Sequence, residues 1–353
     1  MQVFVEPRAY HAKFKEFFAR AQMDLGHEPE MISALDEDWY SILVVDGARA
    51  LAHAIAPKPI GRTGLNDVEP LMGYGGLLTS TADRSFLGDA LAAYSVACRE
   101  LKVVAELIRF DPLLLNHTDF LGRREINIVP AKDVVVVSCE NDREAQISRF
   151  SAPCRRRLRR GLEKFHTRLL EKPREVTLFR DFYERSLVRV GAAKHWFLPD
   201  RFYAAITASS LFQIYSVWSD AELAAAALVG HHPTGAHYVL AANAENYPAG
   251  AGERLIYEIT RDAAGRGERR LMLGGGNTSD PDDPLLRYKS RYAEKPVTFF
   301  LGTMVHDRPR FDALQTQAVA ARPQISEETF FLKHRLVAAL GGNAETETVS
   351  DRR

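Results

Sequence analysis

Two stretches of this chain run through the same order of hydrophobic periodicities, and that order confines it to layered α+β architectures. In the first, apolar residues recur at helical spacing over Tyr10–Asp24. Two strand-like runs follow, Tyr40–Val45 and Ala48–Ala56, meeting at Asp46-Gly47, a dipeptide suited to the left-handed positions of a two-residue hairpin turn. The glycine-punctuated stretch Leu71–Leu78 comes next, then a helical pattern at Phe86–Leu101 and a strand at Val103–Phe110. In the second stretch, helical patterns at Val176–Val190 and Asp200–Ser209 precede strands at Phe212–Trp218, Leu223–Val229 and His237–Ala242. A helix over about Gly252–Gly265 and a strand at Arg270–Leu273 close it. Each helix stripe and each sheet face has to be covered by another element, and this order does so in two layers. No residue-level repeat accompanies the duplication, which is one of pattern.

A length of 353 residues agrees with two such units, at about 150 residues per domain. The expected division is a first domain at 1–148, a basic linking helix at 149–174, a second domain at 175–340 and a polar, frayed tail at 341–353. The apolar share is 46% and the charged share 26%, which excludes wholesale disorder. No stretch approaches the roughly 18 apolar residues of a spanning helix. Met1–Tyr10 lacks a basic-then-apolar leader pattern, so the expected address is cytoplasmic. Cys98, Cys139 and Cys154 are too widely spaced for a disulfide framework or a zinc site, and no metal site is expected.

The 46 basic and 46 acidic side chains cancel, which argues against a generic DNA or duplex binder built on a strongly basic domain. The balance is not local. Between Arg149 and Arg180 there are 11 Lys or Arg against three Glu. Leu158, Leu162, Phe165 and Leu169 recur there at three- to four-residue spacing, as in a basic amphipathic helix. Such a helix is either a solvated connector or a surface for a polyanion. Cys154, beside Arg155–Arg157, is either an activated thiol or a plain one at a helix start.

Chemistry concentrates near the C-terminal third. The strand Leu271-Met272-Leu273 runs into Gly274-Gly275-Gly276, then the turn-rich Asn277–Pro284, then Leu285–Tyr292. Lys289 is the leading candidate, because an ammonium beside a reacting carbonyl stabilises charge developing on oxygen. The competing reading is a surface lysine paired with Asp282 or Asp283. Those two aspartates alone are a poor metal set. Upstream, Pro248-Ala249-Gly250-Ala251-Gly252 opens a helix whose free N–H groups suit a phosphate or pyrophosphate, or make a tight turn. It is neither a Walker loop nor a complete dinucleotide fingerprint. His231-His232 before Pro233 reads as an exposed turn, and His195, His237 and His306 matter only if a cleft gathers them. No nucleophile elbow is present.

Taken together, these residues resemble the FemABX-type branch of the GNAT-like acyltransferases, over about Trp39–Val305. The likeness is carried by Asp46-Gly47, Gly73-Tyr74-Gly75-Gly76, Arg109-Phe110-Asp111-Pro112-Leu113, the basic helix Arg155–Glu163 and the strand pair Tyr215–Val229. It continues in the helix Leu255–Ala264 ending at Gly265, and in Leu273-Gly274-Gly275-Gly276 with Arg287-Tyr288-Lys289. That last block, a glycine-rich strand end followed by an aromatic-Lys pair, is the most specific, with Tyr288 where Phe is commoner. The long helical hairpin of some tRNA-using members is not evident. The coenzyme A signature is partly met by Gly250 and Gly252, with Tyr247 in place of Gln or Arg.

The resemblance implies two GNAT-like domains, each a mixed, mostly antiparallel sheet flanked by helices. It implies an amide-forming transferase that moves an activated acyl group onto an amine of a cell-wall precursor, a polysaccharide precursor or a natural-product intermediate. The expected donor is aminoacyl-tRNA, the alternative acyl-coenzyme A, and no cofactor is expected to be tightly bound. Lys289, Tyr288 and Asp283 are the expected catalytic residues, with Asp282 and Glu258 as other candidate bases. Gly250, Gly252, Gly274, Gly275 and Gly276 would cradle the donor, and Arg155, Arg156, Arg159 and Arg287 would bind substrate or tRNA. A silent ligand-binding protein with the same cleft is the rival from another class.

Overall fold

The computed structural model describes residues 1–337 apart from 247, 248, 279 and 294; the tail expected at 341–353, Tyr247 and Pro248 lie outside the described residues. In chain order the first elements are β1 (Gln2–Pro7), α1 (Phe14–Phe17), α2 (Pro29–Leu35), β2 (Tyr40–Asp46), β3 (Arg49–Ile55), β4 (Lys58–Pro59), β5 (Asn66–Val68) and β6 (Leu78–Thr79). Then come α3 (Arg84–Glu100), β7 (Val103–Arg109), β8 (Asn127–Ser138), α4 (Arg143–Arg149), α5 (Ala152–Lys164), β9 (His166–Leu169), α6 (Val176–Arg189) and α7 (Asp200–Ala208). The last are β10 (Phe212–Ser219), β11 (Glu222–His232), β12 (Gly235–Asn243), α8 (Ala251–Gly265), β13 (Arg270–Gly275), α9 (Pro284–Lys289), β14 (Val297–Val305) and α10 (Arg308–Ala321).

These elements form two compact units, Met1–Ala131 with Phe299–Arg353, and Lys132–Thr298. The division corrects the expected boundary at 148/149 and makes the first unit discontinuous. The cause is strand pairing: β14 returns to lie antiparallel to β7, with Leu301 opposite Arg109 and Val305 opposite Ala105. The segment after α10 is held to the same unit by the buried Asp67, which bonds His334 and Arg335.

In the first unit β1-β2-β3-β6 form one antiparallel sheet. A second set runs β4-β5-β7-β14, with β5 and β7 parallel. Asp46-Gly47 does make the two-residue hairpin, pairing Asp46 with Arg49 and placing Gly47 at φ 60°. α3 starts on the Asp83 carboxylate, which accepts from the N–H groups of Ser85 and Phe86. It buries Phe86, Leu87, Ala90, Leu91, Tyr94, Ala97 and Cys98 against Ile42, Val44, Leu51 and Ile108. The helix expected over Tyr10–Asp24 is not continuous. Its apolar spacing is real, with Tyr10 stacked on Phe14 at 4.0 Å, but Phe18 turns extended and two tight turns replace the rest.

The second unit has the sheet order β8-β13-β12-β11-β10-β9, antiparallel except at β12 and β13. α8 is the crossover that a parallel pair needs. It buries Leu255, Ile256, Ile259 and Ala263 over Ala225, Ala227, Tyr215 and Val217. α5 is amphipathic as expected, burying Cys154, Leu158 and Gly161. It ends at Lys164, however, and Leu169 belongs to β9. It is also part of the second unit's core rather than a connector, lying against α8. His231 and His232, expected in an exposed turn, are 6% and 1% exposed. The reason for His231 is a buried network, in which Tyr215 Oη lies 2.9 Å from its Nε2 and Glu268 2.9 Å from its Nδ1.

Two fully buried carboxyls of the first unit, Asp24 and Asp111, contribute to its response to pH. Asp111 accepts from Leu113 N and Leu114 N and shares a hydrogen bond with Asp24. Burial, then the Asp24 charge, push the Asp111 carboxyl well above its usual value. A carboxyl raised on folding contributes stability below its unfolded value and loses it as the pH rises through the folded one. Asp111→Asn is expected to raise the melting temperature at pH 8 by about 2–4 °C, the response to about 1 kcal/mol in a unit of this size. The gain should vanish near pH 4 in thermal melts followed by circular dichroism. A variant melting below the native chain at pH 8 would contradict it.

Candidate active site

The site lies at the C-terminal end of β13. Hydrogen bonding between β12 and β13 is confined to Ala236 with Leu271 and His237 with Met272. Beyond these, Tyr238–Asn243 stay paired to β11 and Gly274 and Gly275 to β8, but not to each other. The sheet therefore opens between two parallel strands and leaves one edge of each with backbone groups for a ligand.

Lys289, the last residue of α9, reaches into this end of the sheet. It is half-buried, and its Nζ donates to Gly275 O at 2.8 Å. Lys132, from the middle of β8, donates from its Nζ to Gly276 O at 3.2 Å. Two ammonium groups thus sit on consecutive carbonyls of the glycine triplet. Burial first, and the charge of Lys132 second, push Lys289 down to about 8, with Asp283 opposing. Lys132 escaped the sequence reading. Its only signal is a charged residue ahead of Val134–Val137, and only the register of β8 on β13, Val134 opposite Gly275, brings it to the triplet.

Asp283 has a different place from the one expected. Its Oδ1 accepts from Leu285 N and Leu286 N at 2.9 and 3.0 Å, and its Oδ2 from Thr278 N and Thr278 Oγ1 at 2.9 and 3.1 Å. It is the N-cap of α9 and 3% exposed. Burial pushes its carboxyl up, but the four hydrogen bonds outweigh that and hold it below the usual value, which makes it a poor base. Gly276 is glycine because a side chain there would collide with this carboxyl. The triplet thus supports the cap and presents carbonyls to two lysines, rather than offering bare N–H groups. Of the other candidate bases, Asp282 is exposed and Glu258 is paired with Arg254 at 3.0 Å.

Tyr288 packs against the core, and Tyr292 Oη donates to its hydroxyl at 3.0 Å. Tyr292 is 1% exposed, with Glu253 and Cys154 near enough to act on its hydroxyl. Burial and Glu253 push the Cys154 thiol up to about 12, against the neighbouring arginines, so it is no nucleophile. His237 is buried where the parallel pairing ends, His195 is exposed, and His306 is buried in the first unit beside Ser95.

The glycines at the start of α8 are used for packing. Gly250, at φ 104°, lies against α5: a Cβ there would stand 2.7 Å from Arg157 O, and one on Gly161 2.5 Å from Gly250 O. Gly252 is buried in the first turn, and Glu253 beside it is 3% exposed and paired with Arg157 at 3.4 Å. The α8 N-terminus is therefore covered by α5 and carries its own anion. Arg155 also serves the fold, donating to Ser148 O and Phe150 O. Arg156, Arg159 and Arg160 are exposed and make no ion pair among the described residues, and Arg287 is exposed on α9.

Gly161→Ala separates two effects of opposite sign. Helix propensity alone would stabilise by about 1 kcal/mol. The clash with Gly250 O should win, for a net loss of about 1–3 kcal/mol in urea unfolding. A more stable variant would show that the α5–α8 contact is loose.

Residues 148–290 match the family model described as an acetyltransferase (GNAT) domain. Among solved structures, the chain is similar to FemX, with a TM-score of 0.67 at 12% identity, over 89% of this chain and 99% of that one. It is also similar to the C-terminal domain (DUF2156) of a putative lysylphosphatidylglycerol synthetase from Agrobacterium fabrum, with a TM-score of 0.51 at 14% identity, over 82% and 91%. No curated protein matches the sequence. At these identities the likeness is one of fold, and it agrees with the tandem α+β units described above.

Proposed function

Starting from a chain that carries a GNAT acetyltransferase domain at residues 148–290 within a FemX-like fold, we propose that the protein is an amide-forming acyltransferase with aminoacyl-tRNA as its donor. The observation that carries the reading is the half-buried Lys289 ammonium, fixed on Gly275 O where the parallel strands part. The donor's ester carbonyl would enter between β12 and β13, and the acceptor amine would attack it. Lys289 would face the oxygen on which charge develops, in a partly desolvated place where that interaction is strong. Holding donor and amine together supplies a large further share of the rate.

The donor is argued from α5 and α8. A coenzyme A pyrophosphate would be held by the open N-terminus of a helix. In this chain that turn is covered by Gly161 and contains the buried Glu253, which repels phosphate. The outer face of α5 presents Arg156, Arg159 and Arg160, which make no ion pair among the described residues and suit a polyanion. The acceptor is an amine of a cell-wall precursor, a polysaccharide precursor or a natural-product intermediate, as the resemblance implies.

Transfer of a radiolabelled amino acid from a mixed aminoacyl-tRNA pool to amine acceptors tests the reading. Lys289→Met is expected to lower the rate at least about a hundredfold, the scale of losing one oxyanion donor, with the circular dichroism spectrum unchanged. Full activity in that variant, or transfer from acyl-coenzyme A that survives ribonuclease, would overturn the assignment. Replacing Arg156, Arg159 and Arg160 together by Ser should weaken tRNA binding and lower the slope of log K against log[salt] by about 2–3. Filter binding across a salt series reads both.

A further inference from the structure

The carboxylate that acts on Lys289, Asp283, is occupied as the cap of α9. An amine that attacks an ester must nonetheless lose a proton, and the leaving oxygen must gain one. The ionisable side chains on the carbonyls of the glycine triplet are Lys289 and Lys132, on Gly275 O and Gly276 O. We propose that Lys132 is a positioning residue whose charge, held on the next carbonyl of the same turn, keeps Lys289 ready to give up its proton, so that Lys289 carries a proton from the attacking amine to the leaving oxygen. This rests on the reading of the site as an acyl-transfer centre.

The step balances. The acceptor nitrogen forms the new C–N bond as one of its protons moves to the neutral Nζ of Lys289. The ammonium so formed faces the oxyanion of the tetrahedral intermediate. As the ester C–O bond breaks, that proton passes to the leaving oxygen, and Lys289 returns to its neutral form. One side chain thereby serves as base, electrostatic partner and acid in turn. The groups facing it support this order. Burial first, and then Lys132 from β8, favour the neutral amine, with a midpoint of about 8, and Asp283 at the α9 cap opposes them. Asp133, next to Lys132, accepts from Thr298 Oγ1 at 2.7 Å.

The test uses the full chain and needs no acyl donor. Each lysine is labelled competitively with acetic anhydride between pH 6.5 and 10.5, and labelling is read by peptide mass spectrometry. In the native chain Lys289 should titrate near 8, below the ordinary lysine value of about 10.4. In Lys132→Met its midpoint should rise, with labelling at pH 7.5 falling about threefold for each half-unit of rise. Lys132→Arg keeps the charge and should restore the low midpoint, which a merely structural role for Lys132 would not require. If Lys132→Met folds and leaves the midpoint unmoved, the proposal is wrong; if it does not fold, a raised midpoint in Lys132→Arg overturns it equally. Because labelling is independent of transfer, failure of the transferase assay and failure of the tuning are separate results.

Discussion

Backbone N–H and C=O groups in a sheet must be paired or solvated, and between β12 and β13 they are paired at two positions only. Everything at the site follows from that limit. The two strands are parallel, so α8 has to cross between them, and its buried face fixes its path over β10 and β11. Past His237 and Met272 each strand stays paired to its outer partner, β11 or β8, through a register shift at Leu228/Val229 in one pair and at Met272/Gly274 in the other. The glycine triplet at the end of β13 then has carbonyls free for side chains. Two lysines take them, one from each side of β13 in the chain order.

The same geometry engages the carboxylate that acts on Lys289. Asp283 is nearest, but its charge is spread over four hydrogen bonds and it holds the start of α9, whose last residue is Lys289. Cap and lysine are therefore one device: the carboxylate orients the helix, and the helix delivers the ammonium. At the start of α8, Glu253 answers Arg157 across the α5–α8 contact. The chain's zero net charge conceals this arrangement, with Asp283 and Glu253 engaged in structure and Arg156, Arg159 and Arg160 making no ion pair among the described residues.

Much of this was legible in the sequence, and the limits have physical causes. Long amphipathic elements read well: α3, α6, α7, α8 and β10 to β13 fall within a few residues of the spans read from periodicity, because periodicity reports burial directly. The tandem architecture followed from their order. What failed depends on pairing between distant residues. The division at 131/132 is set by β14 returning to β7, which no local pattern encodes. His231 looked like a turn residue because its partners Tyr215 and Glu268 lie 16 and 37 positions away. The place of Lys289 beside the glycine triplet was legible from its motif, the approach of Lys132 was not, and Asp283, expected as a catalytic residue, caps α9. The glycines were read as a ligand cradle or, at Gly250–Gly252, a tight turn, and Gly250 and Gly276 are held in close approach to Arg157, Gly161 and Asp283.

The central claim is that an acyl group borne by tRNA reaches the gap between β12 and β13 beside Lys289. It is tested most directly by affinity labelling with aminoacyl-tRNA bearing a bromoacetyl group on its amino nitrogen, followed by peptide mapping. The account expects alkylation of Lys289, Tyr288 or Lys132, suppressed by unmodified aminoacyl-tRNA. Alkylation confined to other segments, or labelling of these residues by bromoacetyl-coenzyme A but not by the tRNA reagent, would contradict it.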